Sequence, residues 1–200
     1  MNNSELQKVD NHKHLVVIFS NNGFWHDHVD HIVKRSYNML RKVRMTLDRL
    51  SLEKIYMSFI RPLLEYADVI WDSQNQSLIN KLENVQLDDA RIVTEGTKLT
   101  GLNRLYEETK WEKLSDRRQN HKLILFHKLK NNRTPQYLLD LIPNSIGSRH
   151  NHTTRQVNNM LEINTRTNQY ADYRYFLPST IKLWNNLPLT LRKTESLIYI

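Results

Sequence analysis

Arg61-Pro62-Leu63-Leu64-Glu65-Tyr66-Ala67-Asp68-Val69-Ile70-Trp71-Asp72 is the stretch on which the reading of this chain turns. It sets a proline, acids and large apolar residues within a region of helical spacing. Pro62 has no N–H for the helical ladder, and its ring crowds the preceding turn. A kink or break is therefore expected there. Beyond it, Tyr66-Ala67-Asp68 reads as helix, with Tyr66, Val69, Ile70 and Trp71 as packing residues.

Upstream, Leu52, Ile55, Tyr56, Phe59 and Ile60 supply an apolar face, with Ser51 as the expected N-cap and Glu53 in the first turn. From Asp27 to Arg49 the apolar residues Val29, Ile32, Val33, Leu40, Val43, Leu47 and, just beyond, Leu50 recur every three or four positions, as on one long amphipathic helix. Lys34, Arg35, Arg41, Lys42 and Arg49 fall on the opposite arc. Leu15-Val16-Val17-Ile18-Phe19, bounded by Ser20-Asn21-Asn22-Gly23, reads as a strand and a turn. Residues 1–13 are polar.

Downstream, a helix is expected over Ser77–Thr94, ended by Gly96. A short helix follows over Gly101–Thr109, then a more buried one from Trp111 or Ser115 to Lys130. Thr134-Pro135 reads as the N-cap and first position of a further short helix, 136–141. Residues 144–172 are rich in Asn, Thr and Arg and read as a polar loop with a weak hairpin near 154–166. A last helix lies between Phe176 and Pro188. The fold class is mainly α, bundle-like, with a minor N-terminal β element. The expected segments are 1–26, 27–95, 96–143, 144–175 and 176–200.

Composition narrows the function. The 200 residues include 4 Gly, 5 Pro and no Cys, so disulfides, zinc knuckles and thiol catalysis are excluded. No apolar run approaches the roughly 20 residues that span a bilayer, and Met1–Leu6 has no apolar leader core. An intracellular protein without membrane attachment is expected. The formal charge is +8, which points to a polyanionic partner. Residues 31–61 and residues 110–133 each hold eight Lys or Arg against two acids. Such blocks suit sequence-independent, salt-dependent phosphate contact. Lys34, Arg35, Arg41, Lys42 and Arg49 are the leading candidates. Arg117, Arg118 and Lys122 form a second group.

No autonomous catalytic constellation stands out. Asp88-Asp89 lies in a helical pattern, where adjacent side chains diverge by about 100° and chelate one ion poorly; a solvated helix face is expected. His28 and His31 have a spacing found in zinc pairs but no further ligand, so His26, His28 and His31 read as a surface cluster without metal. Tyr66-Ala67-Asp68 matches part of the Tyr-Ala-Asp-Asp box of reverse transcriptases. Val69 stands where the second acid belongs, so no catalytic residue is assigned.

A set of motifs in order carries a wider resemblance. It begins with His14-Leu15-Val16-Val17, Trp25 and His28-Val29. It continues through Leu52-Glu53-Lys54-Ile55-Tyr56, Ile60 to Ala67 and Trp71-Asp72. Leu82-Glu83-Asn84-Val85-Gln86 with Ala90-Arg91 follows, then Trp111, Leu114, Arg117-Arg118 and Leu125-Phe126-His127-Lys128. It closes on Pro178-Ser179-Thr180-Ile181, Trp184-Asn185 and Leu187-Pro188. Over about residues 12–198 the chain resembles the C-terminal, thumb and post-thumb, part of a LINE-type (non-LTR) retrotransposon reverse transcriptase of the jockey-like kind. The family usually has Gly where Val16 stands and a small apolar residue where Asp89 stands. Its fingers, palm and acidic box have no counterpart here. The resemblance implies a non-catalytic fragment of an RNA-directed DNA polymerase. The parent would use magnesium, and no cofactor is expected in this chain. The expected partners are an RNA–DNA template–primer duplex and the missing N-terminal polymerase domains. The alternative is a helical interaction module or decayed remnant with no nucleic-acid role.

Overall fold

A computed structural model describes residues 8–72, 75–143, 160–161 and 176–194. The chain is mainly helical, with one two-stranded antiparallel sheet near its N-terminus, the class expected from the sequence. It divides into two compact units. The first takes residues up to 67 and 73–114; the second takes 68–72 and the residues from 115 onward. The chain passes from the first unit to the second for the last time at 114/115. The hairpin expected near 154–166 lies outside the described residues, apart from 160–161.

In the first unit, β1 (Asn11–His14) pairs with β2 (Val17–Ser20), His14 opposite Val17. The apolar run expected as one strand is split. Leu15 and Val16 form its two-residue turn, with φ of 44° and 73°. A tight hairpin turn of this hand needs positive φ at both central positions, which only glycine adopts freely. Tertiary pairing overrides β propensity here.

The expected long helix over 27–49 is three elements. α1 (His26–Ser36) stops where the Ser36 hydroxyl donates to the carbonyls of Ile32 and Val33, at 2.8 and 3.2 Å. Tyr37 is extended and Asn38 is left-handed at φ 65°. Asparagine tolerates that region better than most residues. α2 (Met39–Val43) and α3 (Arg49–Ile55) follow. The N-cap of α3 is Asp48, not Ser51: its carboxylate accepts the Ser51 N–H at 3.1 Å. The Ser51 side chain first, and then this N–H, lower the Asp48 pKa.

Helix continues through Pro62. A wider π turn (Tyr56–Ile60) connects α3 to α4 (Arg61–Glu65), with Pro62 in the first turn of α4. Loosening the ladder by one residue just before proline accommodates its missing donor and its ring. The chain turns instead at Tyr66, which is extended, and Ala67, at φ 54°. Tyr66-Ala67-Asp68 is thus a junction between helices rather than helix interior.

α6 (Gln76–Val93) organises the first unit and packs against α1, α2, α3 and α7 (Leu102–Thr109). Its cap is Asn75, bonded to the Ser77 N–H at 2.9 Å. Leu78, Leu82, Val85 and Val93 are buried with Val29, Ile32, Leu40, Leu52, Ile60 and Leu64. Each such side chain contributes about 1.5–3 kcal/mol by burial. Tyr56 stacks on Trp111 at 3.7 Å and 11°, and its hydroxyl donates to Gln86 at 2.5 Å. Glu83 accepts from the Tyr106 hydroxyl and from the Leu114 N–H. The helix ends with Glu95 in the left-handed region, while Gly96 donates to the Arg91 carbonyl at 2.8 Å.

The second unit is built on α8, which spans Leu114–Lys130 and enters this unit at Ser115. With it come α5 (Asp68–Trp71), α9 (Gln136–Leu139), α10 (Phe176–Asn186) and α11 (Leu189–Arg192). The cap of α9 is Pro135 rather than Thr134. Leu123, Phe126, Leu129, Leu161, Ile181 and Trp184 form its apolar core. Asn185 accepts the Leu161 N–H and donates to the Leu161 carbonyl, both at 3.0 Å. No described helix is long and apolar enough to cross a membrane.

Candidate nucleic-acid interface

The leading basic residues sit on the first unit. Lys34 and Arg35 lie in the last turns of α1, Arg41 and Lys42 on α2, and Arg49 at the start of α3. All five are exposed, as is Arg44 in the turn after α2. Cations in the last turn of a helix face its negative dipole end, which favours them there. The break at Tyr37 and Asn38 means that the five do not share one helical arc. Arg41 and Arg49 line one cavity, Lys34 lines another, and Arg35 and Lys42 line neither.

Arg49 is engaged locally. Its guanidinium donates to the Glu108 carboxylate at 2.9 Å and to the Glu108 carbonyl at 3.2 Å. Arg41 lies over the Tyr37 ring, 5.7 Å from its centroid, an arrangement that leaves its charge available.

The cavity that Arg41 and Arg49 line measures about 500 Å³. Arg44, Arg91 and Lys98 add positive charge to its wall, against Asp48, Asp88 and Glu95. Met45, Leu47, Leu52, Ile92 and Val93 are its apolar part. Arg91 donates to Asp88 at 2.9 Å, and its Nε–H is buried without a partner. Sequence reasoning missed Arg44, Met45, Arg91 and Lys98. Only the fold of α6 beside α2 and α3 gathers them. The basic count over 31–61 is the one signal that included Arg44.

The second group takes a different place. Arg118 and Lys122 are 0% and 1% exposed, so they offer no phosphate-facing surface. Both pair with Asp72 at 2.8 Å, through Arg118 Nε and Lys122 Nζ. Lys122 also reaches the Ser179 hydroxyl at 3.3 Å. His121 Nδ1 lies 2.6 Å from Asp68. Asp68 and Asp72 therefore hold α5 to α8 within the second unit. Arg117 is half-buried and has partners of its own. The α8 basic block is therefore split: Arg118 and Lys122 lie inside among Leu123, Phe126 and Leu129, while Lys128 and Lys130 in its last turns are exposed.

Two further expectations change. Asp89 is 3% exposed rather than solvated, and its Oδ2 has no hydrogen-bond partner. Burial, with Asp88 adding like charge, pushes its carboxyl up to about 8. A void of about 10 Å³ beside it is lined by Asn38 and Arg41 among others. His28 is 1% exposed rather than on the surface. Its Nδ1 accepts the Ile18 N–H at 3.3 Å, which ties β2 to α1 and requires a neutral ring. Burial, then the neighbouring His31, lowers its pKa to about 4. Among the described residues no three His, Asp or Glu side chains gather as a metal site.

The chain matches no family model, no curated protein and no solved structure, so the family resemblance is carried by the motifs in its own sequence.

Proposed function

We propose that this chain is a thumb-like, nucleic-acid-gripping part of a LINE-type reverse transcriptase, which holds a template–primer duplex by its phosphates. The supporting observation is the exposed cation set on α1, α2 and the following turn. Lys34, Arg35, Arg41, Lys42 and Arg44 have no ion-pair partner among the described residues, and Arg49 adds a paired cation beside them. Counterion release on phosphate contact makes such binding steeply salt-dependent. The second basic group has no part in it, since its buried members neutralise Asp72.

Filter binding of an RNA–DNA duplex across a salt series tests the proposal. Replacing Lys34, Arg35 and Lys42 by Ala should reduce the slope of log K against log salt by about 2–3, close to one per lost contact. An unchanged slope would sink it.

The alternative, a decayed remnant or interaction module, is favoured by two residues at odds with their sites. Val16 occupies backbone suited to glycine, and Asp89 buries a carboxyl where the resembled family has a small apolar side chain. Duplex binding insensitive to salt, or none at all, is its signature.

A further inference from the structure

We infer that the 500 Å³ cavity between α2, α3 and the C-terminal end of α6 is a seat for one unpaired nucleotide of a bound strand. This rests on the phosphate-gripping role proposed above and adds what the strand must present. The volume falls in the range of small-molecule sites. A base stacked within a duplex cannot enter it, whereas a single-stranded or overhanging one can.

The wall fits a nucleotide better than a free anion. Arg41, Arg44 and Lys98 supply cations without ion-pair partners among the described residues, and Arg91 has a donor to spare. Asp48, Asp88 and Glu95 offset part of that charge. Asp88 is held by Arg91 and Asp48 by the first turn of α3. The lining carries five cations and three acids, a formal excess of two, one of which Glu108 offsets at Arg49. That excess suits one phosphodiester and disfavours a polyphosphate. Met45, Leu47 and Ile92 provide an apolar surface on which a base face can lie, and guanidinium planes stack on bases as well. Arg41 and Arg49 belong both to this wall and to the cation set that would track the backbone, so a strand passing over α2 would reach the cavity.

The experiment compares a thymidylate hexamer with an abasic hexamer of the same charge, by fluorescence anisotropy with the full chain. The base-bearing strand should bind about tenfold more tightly, at the same salt slope. Met45→Asp, at a side chain 86% exposed, should bring the two strands to equal affinity, and Arg44→Ala should weaken the base-bearing strand more than the abasic one. Both positions are exposed, and thermal melts of the variants verify folding. Equal binding of both hexamers by the unaltered protein overturns the nucleotide seat and leaves the phosphate grip standing. A preference that survives Met45→Asp overturns it too. A base preference lost in Met45→Asp, together with a salt slope untouched by the Lys34, Arg35 and Lys42 substitutions, would keep the seat and remove the grip.

Discussion

At the scale of single residues, two buried groups of the first unit, Asp89 and His28, work against each other. Asp89 has a folded pKa of about 8 against an ordinary 3.8, so the folded protein holds a proton that the unfolded chain has released. Its stabilising influence is full below pH 4 and is lost as pH rises towards 8, at up to about 1.4 kcal/mol per pH unit. His28 has a folded pKa of about 4 against 6.5, so its contribution is full above 6.5 and is lost as pH falls towards 4. The two slopes oppose between pH 4 and 6.5 and only the Asp89 slope remains from 6.5 to 8. Urea midpoints should accordingly change little from these groups over the lower interval and fall over the upper one. Asp89→Ala should abolish the upper decline, raise stability at pH 8 by about 2 kcal/mol or more, and expose a rise between pH 4 and 6.5. A decline that persists in Asp89→Ala would refute the assignment. None of this was readable in the sequence, where Asp88-Asp89 looks like a solvated pair. Burial is decided by which face of α6 meets α1 and α2, and a residue next to a half-exposed Asp88 is carried inward by the helical turn.

At the scale of elements, local chemistry and tertiary pairing divide the control. The capping of α6 by Asn75 and the run of apolar residues along it are local features, and the helix lies within a residue of where the spacing predicts it. The hairpin is the opposite case. Leu15 and Val16 look like strand, yet they form the turn because the pairing of His14 with Val17 leaves two residues to reverse the chain. A left-handed backbone costs a residue with a Cβ about 1–2 kcal/mol. Val16→Gly should therefore raise the melting temperature, gaining about 1 kcal/mol after the entropy of the added glycine. A lower melting temperature would show that Val16 packing outweighs its backbone strain. Pro62 teaches a related point. A proline marks where the ladder must yield, but the sequence does not say whether it yields by breaking or by widening into a π turn. The continuous packing of Tyr56, Ile60 and Leu64 favours widening.

At the scale of the whole molecule, the opening run divides between two units. Arg61–Ala67 belongs to the first, and Asp68–Asp72 to the second. There Asp72 neutralises two buried cations, Arg118 and Lys122. Removing one partner of a buried ion pair typically costs about 3–5 kcal/mol, because the charge left behind stays desolvated. Asp72→Ala should lower the stability of the second unit by at least that order, seen by hydrogen exchange as lost protection along α8 and α10. The duplex binding proposed for the cations of α1 and α2 is expected to survive this substitution. If instead Asp72→Ala leaves α8 protected, the triad is not what holds α5 in place.

The sequence by itself determined the helical class, most helix positions and the exposure of Lys34, Arg35, Arg41, Lys42 and Arg49. These follow from periodicity and charge, which act over one or two turns. Tertiary structure alone decided that Arg118 and Lys122 are internal, that Asp89 and His28 are buried, and that Arg44, Met45, Arg91 and Lys98 share a cavity. The physical reason is the range of the forces. A helix period tells which residues share a face, but only the packing of one helix on another tells whether that face meets water. A basic block reads the same in sequence whether its cations meet solvent or, as Arg118 and Lys122 do on α8, an aspartate far away along the chain, Asp72.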